Sequence, residues 1–151
     1  MLSINDILST INTCEDIKGK DKRYFMIAAA LSDKSTFRRA RLGAVAVYKH
    51  HIIGSGINSE KTHPTQKKYN MYRPKREENL PPKIHAEIAC IQSIDYNFEY
   101  ENAEMYIFRS CRNKPYGNAR PCKACMKALK EHGFKRIHYS TDDGFATEVI
   151  H

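Results

Sequence analysis

Two short motifs carry side chains that could bind a metal ion. The first is HAE at residues 85–87, and the second is PCKAC at residues 121–125. One imidazole and two thiolates can hold zinc, and three protein ligands leave the fourth tetrahedral position open, as in catalytic rather than structural zinc sites. The motifs therefore predict a zinc ion held by His85, Cys122 and Cys125. The carboxylate of Glu87 could move protons beside it.

A closed structural zinc site is the alternative for this set of residues. Its fourth ligand would be Cys90, Cys111 or another histidine. That arrangement gives no role to Glu87 and no reason for a proline before the first cysteine of the CxxC. Cys90 lies next to Ala89 in a helical pattern, which favours a small buried thiol.

Composition limits the class of protein. A chain of 151 residues, 41% of them hydrophobic, predicts a single folded domain over residues 1–151. The net charge of +8 favours a polyanionic or phosphorylated partner. We expect no secretory signal and no membrane span, because no long apolar run occurs. Five cysteines, two of them in a CxxC, suggest a reducing compartment, so the cytoplasm is the expected location.

The order of predicted elements indicates an α/β fold. An amphipathic lead-in covers residues 1–19 with Gly19 as its stop, and Asp21 could cap a second helix that ends near Asp33. A long basic loop is expected at 58–83, one helix starts at the HAE motif, and another is opened by Pro121 and ended by Gly133. Strands are expected at 42–48, 52–56, 103–108, 136–140 and 145–150.

These elements predict a mixed sheet covered by helices. A parallel connection between the last two strands would need about a dozen residues of crossover. Only residues 141–144 separate them, so we expect this pair to be antiparallel. The two motifs fall at helix N-termini, where exposed N–H groups and the positive end of the dipole would stabilise thiolate charge.

The chain resembles the cytidine/deoxycytidylate deaminase superfamily, and its deoxycytidylate-type branch most of all. The resemblance extends from about Ala28 to Thr141. It rests on five segments: residues 28–32, RLGAV at 41–45, GIN at 56–58, and the HAE and PCKAC motifs. The pattern HxE…PCxxC is the signature of zinc deaminases that act on nucleobases.

The resemblance implies a three-layer α/β/α fold around a five-stranded sheet, with zinc on the histidine and two cysteines and Glu87 as the proton shuttle. It also implies that Asn58 contacts the substrate and that the Ala86 N–H meets the base; otherwise Asn58 is a turn residue after a strand. Lys61, His63 and Arg120 are candidate phosphate contacts. Homo-oligomers are expected.

The leading hypothesis is zinc-dependent hydrolytic deamination of a cytosine nucleotide or nucleoside to its uracil product, with release of ammonia. The alternative is a deaminase acting on cytosine or adenine within single-stranded DNA or RNA. Basic and aromatic residues supply the composition that such an enzyme would need, and they are Lys67, Lys68, Tyr69, Tyr72, Arg73 and Tyr116. A zinc-stabilised binding module without activity is a third possibility, and it gives Glu87 no role.

Overall fold

The structure is a computed structural model that describes residues 3–37, 40–74, 81–95 and 101–150. The helices are α1 (Ile4–Thr13), α2 (Gly19–Ser32), α3 (Pro64–Tyr69), α4 (Ala86–Ser93) and α5 (Lys123–Glu131), and a 3-10 turn (Asn70–Tyr72) follows α3. The strands are β1 (Arg41–Tyr48), β2 (His51–Ile57), β3 (Glu104–Ser110), β4 (Arg136–Ser140) and β5 (Phe145–Val149).

One five-stranded mixed sheet organises the chain, in the order β2-β1-β3-β4-β5. The β3–β4 pair is parallel, and α5 forms the crossover between these strands. All other neighbouring strands are antiparallel, including β4 and β5. The structure thus confirms the α/β class and the antiparallel final pair predicted from the short segment 141–144.

Two cores lie on opposite faces of the sheet. The larger core joins α4 and α5 to inward side chains such as Ala44, Met105 and Ile107. The second core joins α1 and α2 to the alternate side chains, such as Val45 and Tyr106. This alternation follows from the period of two along a strand, and it produces the three layers that were predicted.

The β1–β2 hairpin turns at Lys49 and His50. Their φ angles are 47° and 68°. Two central residues with positive φ match the right-handed twist of a tight hairpin, although Asn or Gly usually occupies such positions. The His50 carbonyl accepts a hydrogen bond from the Tyr24 hydroxyl at 3.0 Å, which ties the turn to α2.

Three predicted details of the helix ends are wrong. Gly19 does not stop the lead-in, because it is the first residue of α2 and α1 already ends at Thr13. Asp21 does not cap α2; it lies in the first turn, and its carboxylate accepts a 2.5 Å hydrogen bond from the Tyr106 hydroxyl. Pro121 precedes α5 rather than opening it, since Cys122 is the N-cap.

The predicted end of α5 is confirmed. Gly133 has a φ of 87°, and its N–H donates to the Lys130 carbonyl at 3.1 Å. The N–H of Phe134 donates to the Leu129 carbonyl, also at 3.1 Å. This pair of bonds is the Schellman motif, which needs a residue with positive φ at the glycine.

The region 58–83 is only partly a loop. Pro64–Tyr69 forms α3, and the 3-10 turn follows it. Two polar residues of α3 face inward, Gln66 and Tyr69, so the segment packs against the fold instead of lying in solvent. Positions 75–80 of the predicted loop lie outside the described residues. Within the described part of the chain, no helix is long and apolar enough to cross a membrane.

Gly43 provides a test of how closely α2 packs on β1. A Cβ at this position would lie 2.1 Å from the Ala28 carbonyl oxygen and 2.7 Å from the Ser32 nitrogen. Backbone cannot move as a flexible side chain can, so we predict that Gly43→Ala lowers the free energy of unfolding by about 1–3 kcal/mol. Urea denaturation measures this change.

Gly19→Ala is the matched control. No atom lies within 4 Å of the Cβ that it would add, and the position is the first turn of α2. Alanine is the better helix former, so this variant should be neutral or slightly more stable. Equal stability of the two variants would contradict the packing argument.

Candidate metal and catalytic site

The side chains of His85, Cys122 and Cys125 converge at the N-termini of α4 and α5. His85 is the N-cap of α4, Cys122 is the N-cap of α5, and Cys125 lies one turn later. The Nδ1 atom of His85 is 3.6 Å from the Cys122 Sγ and 3.4 Å from the Cys125 Sγ. Bond lengths of about 2.3 Å for Zn–S and 2.0–2.1 Å for Zn–N give a tetrahedral S···N edge of about 3.5 Å. The three donors therefore fit zinc in both chemistry and spacing.

A fourth protein ligand is not found among the described residues. The only group of three or more His, Cys, Asp and Glu side chains with converging ligand atoms there is His85, Cys122 and Cys125. Cys90 is buried on α4, and desolvation raises the pKa of its thiol. This arrangement favours an open site over the closed structural alternative.

Charge at the cysteine pair is stabilised locally. The hydrogen bond from the Cys125 side chain is the largest cause of a lowered pKa for the Cys122 thiol, and the Cys125 N–H adds to it. The same pairing raises the pKa of Cys125. Burial disfavours a charged His85 ring, but its contact with Cys122 and the charge of Glu87 outweigh burial and raise the pKa of His85. These groups share protons that a bound cation would displace.

Glu87 lies in the first turn of α4 beside this group. Its side chain is 3% exposed. Desolvation raises the pKa of its carboxyl to about 7, although the neighbouring His85 opposes the shift. A carboxyl with a pKa near neutrality can both accept and release a proton at physiological pH, as general acid–base catalysis requires.

A cavity of about 950 Å³ opens above these side chains. Its volume lies in the range of small-molecule binding sites. The lining includes His85, Ala86, Glu87 and Cys122. The other described residues that line it are Thr36, Phe37, Ala40, Leu42, Asn58, Glu60, Arg73, Pro81, Lys83, Ile84, Arg109, Asn118, Ala119 and Arg120.

Asn58 lies at the cavity with its amide already engaged by protein. Its Nδ2 donates to the Ala40 carbonyl at 2.6 Å. Its Oδ1 accepts from the Leu42 N–H at 2.9 Å and from the Ser35 hydroxyl at 2.5 Å. The residue therefore ties the end of β2 to the start of β1, and one amide N–H is left for another partner.

The candidate phosphate contacts occupy different places. Arg120 lines the cavity, but its guanidinium makes a two-pronged contact with the Glu148 carboxylate, at 2.7 Å from Nε and 3.1 Å from Nη2. Lys61 and His63 are not among the lining residues. The His63 side chain instead caps α3 by accepting the Thr65 N–H at 3.0 Å.

Two residues of the site were not predicted from the sequence. Gln66 is fully buried on α3; its Oε1 accepts the His85 N–H at 3.0 Å and its Nε2 donates to Asn70 at 2.8 Å. It thus fixes the backbone that carries the imidazole. Arg109 lines the cavity from β3, where alternation along the strand could have placed it on this face of the sheet.

The family comparison agrees with this arrangement. The model described as the cytidine and deoxycytidylate deaminase zinc-binding region matches residues 18–141. The chain therefore belongs to this family. No curated protein sequence matches the chain.

Solved structures share the fold. The apo dCMP deaminase of the cyanophage S-TIM5 has a TM-score of 0.58 and 19% identity, over 83% of this chain and 86% of that chain. The same cyanophage enzyme in complex with dCMP and dUMP has a TM-score of 0.58 and 20% identity, over 83% and 84% of the two chains. At this identity the likeness is one of fold.

The buried amide of Gln66 leads to a prediction about the site's framework. Gln66→Leu keeps a residue that favours helix but removes the acceptor of the His85 N–H and the donor to Asn70. We expect the free energy of unfolding to fall by about 1–3 kcal/mol, because polar groups lose their partners. Urea denaturation measures it.

Gln92→Leu is the control, since it makes the same chemical change on the exposed side of α4. Its effect should stay within about 0.5 kcal/mol. A loss at Gln92 as large as that at Gln66 would show that the buried amide has no special role.

Proposed function

We propose that the chain is a zinc-dependent hydrolase that deaminates a cytosine nucleotide or nucleoside, with deoxycytidylate as the model substrate. The observation that supports this most is the convergence of one imidazole and two thiols beside the buried Glu87, at the base of a cavity large enough for a nucleotide. Membership of the deaminase family and the dCMP and dUMP bound by the cyanophage enzyme of similar fold support the choice of substrate.

His85, Cys122 and Cys125 would hold the zinc ion. When bound, zinc lowers the pKa of water and so provides hydroxide at neutral pH. The net reaction adds water at C4 of cytosine, breaks the C4–N bond and releases ammonia, leaving a carbonyl at C4. This hydrolysis involves no oxidation or reduction.

Glu87 would carry the protons of this reaction. It would accept a proton from water and deliver it to the ring nitrogen as the C–O bond forms. It would then accept the remaining proton of the hydroxyl on C4 and deliver it to the amine, so that ammonia leaves as the C4 carbonyl forms. Its burial beside the imidazole keeps the carboxyl close to the base and away from bulk solvent. The Ala86 N–H, at the same end of α4, would contact the base, and the remaining N–H of Asn58 would contact the sugar or base.

Two of the tyrosines predicted for the polynucleotide alternative are packed within the fold, which favours a small substrate. Tyr69 is buried and donates a 2.8 Å hydrogen bond to Glu131. Tyr116 packs against Phe108 and Phe145 in the second core, on the other side of the sheet. Neither ring is placed to stack on bases at the cavity mouth. Of the three tyrosines predicted to bind a polynucleotide, only Tyr72 is exposed.

We treat residues 1–151 as one deaminase domain. The α1 helix precedes the matched region, yet Ile7 and Ile11 are buried in the same core as α2. A cytoplasmic location and assembly into homo-oligomers stay predictions from the sequence.

A substrate panel tests the proposed function. Zinc-loaded protein is offered cytidine, deoxycytidine, their 5′-monophosphates, single-stranded DNA and tRNA, and ammonia and the base product are measured. We expect turnover of the monomers, with an apparent affinity that falls only slightly as the salt concentration rises. A polymeric substrate would release many counterions on binding, so its apparent affinity would fall steeply with salt. Turnover of polymers alone would favour the alternative deaminase.

Glu87→Gln tests the proton shuttle separately from the metal. The amide keeps the size of the side chain but cannot accept a proton, so we expect kcat to fall at least about 100-fold with zinc content unchanged. Elemental analysis and the ammonia assay give the two measurements. An active Glu87→Gln enzyme would rule out this role.

Cys122→Ser is the contrasting variant. It removes a proposed ligand and should lose zinc as well as turnover. Full zinc content in this variant would mean that Cys122 is not a ligand.

A further inference from the structure

Arg109 lies near the C-terminal end of β3, on the face of the strand that is directed toward the site, and it lines the cavity. Met105 and Ile107 are fully buried on that face in the core shared with α4 and α5. Alternation places Arg109 next in the same row. Its antiparallel partner on β1 is Leu42, which also lines the cavity.

The backbone of Arg109 is held firmly. Its N–H donates to the Ser140 hydroxyl at 3.1 Å, and its carbonyl accepts the Gly117 N–H at 3.0 Å. The Ser140 hydroxyl in turn donates to the Gly117 carbonyl at 2.7 Å. These bonds fix the start of the side chain relative to β4 and to the segment that precedes the PCKAC motif.

The side chain of Arg109 lies beside Gly117. A Cβ on this glycine would lie 3.4 Å from Arg109 Cδ, 3.6 Å from its Nε and 2.5 Å from Cys111 Sγ. The arginine side chain therefore passes closely over the glycine backbone. These contacts limit where the side chain can lie before any ligand arrives.

The guanidinium of Arg109 is under-bonded. Its Nε is the one buried side-chain nitrogen or oxygen without a hydrogen-bond partner in the described part of the chain. Its Nη1 reaches the Asn118 carbonyl only at 3.5 Å. A buried N–H without a partner is unfavourable, so this side chain has capacity for a strong acceptor.

Three other cations line the cavity, Arg73, Lys83 and Arg120, and two of them are paired with carboxylates. Arg120 contacts Glu148 through two nitrogens, and Lys83 contacts Glu60. Arg109 has no ion pair with a described carboxylate. A planar fork of N–H donors on a cation is the group that best matches phosphate oxygens.

We propose that Arg109 binds the 5′-phosphate of the substrate and so makes the site prefer a nucleoside monophosphate to the free nucleoside. This inference rests on the proposed function and names the residue that would set its substrate class. Arg120, by its contact with Glu148, would instead hold the wall of the cavity.

Binding measurements on zinc-loaded protein that carries Glu87→Gln test the inference, because the ligands are then consumed too slowly to disturb the titration. Calorimetry with dCMP and with deoxycytidine should show that this protein, with Arg109 intact, binds the monophosphate more tightly. Arg109→Gln should weaken dCMP binding about 10- to 100-fold, the loss expected for hydrogen bonds to a charged group, and change deoxycytidine binding less than about 3-fold. Arg109→Lys should retain part of the preference because it keeps the charge.

Arg112→Gln is the matched control, because Arg112 is exposed nearby and does not line the cavity. It should leave both affinities unchanged. Equal loss for both ligands in Arg109→Gln, or no preference in the protein with Arg109 intact, would overturn the inference even if the enzyme deaminates cytosine. If neither ligand is deaminated by the wild-type protein but the binding preference is intact, the proposed function is contradicted and the inference about phosphate binding is not. The two failures are thus distinguishable.

Discussion

The site depends on two helix N-termini that meet at one point. The α4 helix brings His85 and Glu87, and α5 brings the two cysteines. Each helix offers backbone N–H groups and the positive end of its dipole to a cluster that must hold negative charge on sulfur. The sheet makes the meeting possible, because α4 packs on β1 and β2 while α5 joins the parallel strands β3 and β4. A shift of either helix by one turn would separate the donors by several ångströms.

Local patterns predicted most of this framework. The spacing in PCKAC places its two cysteines on one side of a helical turn, and alternation along each strand fixes the buried face. The short segment 141–144 allows only an antiparallel final pair. Helix ends were less predictable. Gly19 and Asp21 have types that stop or cap helices, yet Gly19 starts α2 and Asp21 lies in its first turn. The Asp21 carboxylate accepts a hydrogen bond from the Tyr106 hydroxyl, 85 residues away, and no local pattern could predict that partner.

The residues that the sequence could not identify act through long-range contacts. Gln66 belongs to a segment with the composition of a loop, and only its packing brings its amide to the His85 N–H. Asn58 is named by the family resemblance as a substrate contact, yet three of its hydrogen bonds go to protein groups around β1. A short motif reports the chemistry of a site, whereas the polar groups that hold the site in place are set by tertiary contacts that no local pattern encodes.

The antiparallel final pair also bears on the charge of the cavity. Because β5 runs back along β4, Glu148 lies beside Ile137 and Tyr139, and its carboxylate accepts from both the Tyr139 hydroxyl and Arg120. One cavity cation is therefore neutralised by the edge strand. Another cavity cation, Arg109 on β3, has a buried N–H still unbonded. The sheet topology thus decides which of these two arginines keeps N–H groups available for a ligand, and this difference underlies the role proposed for Arg109.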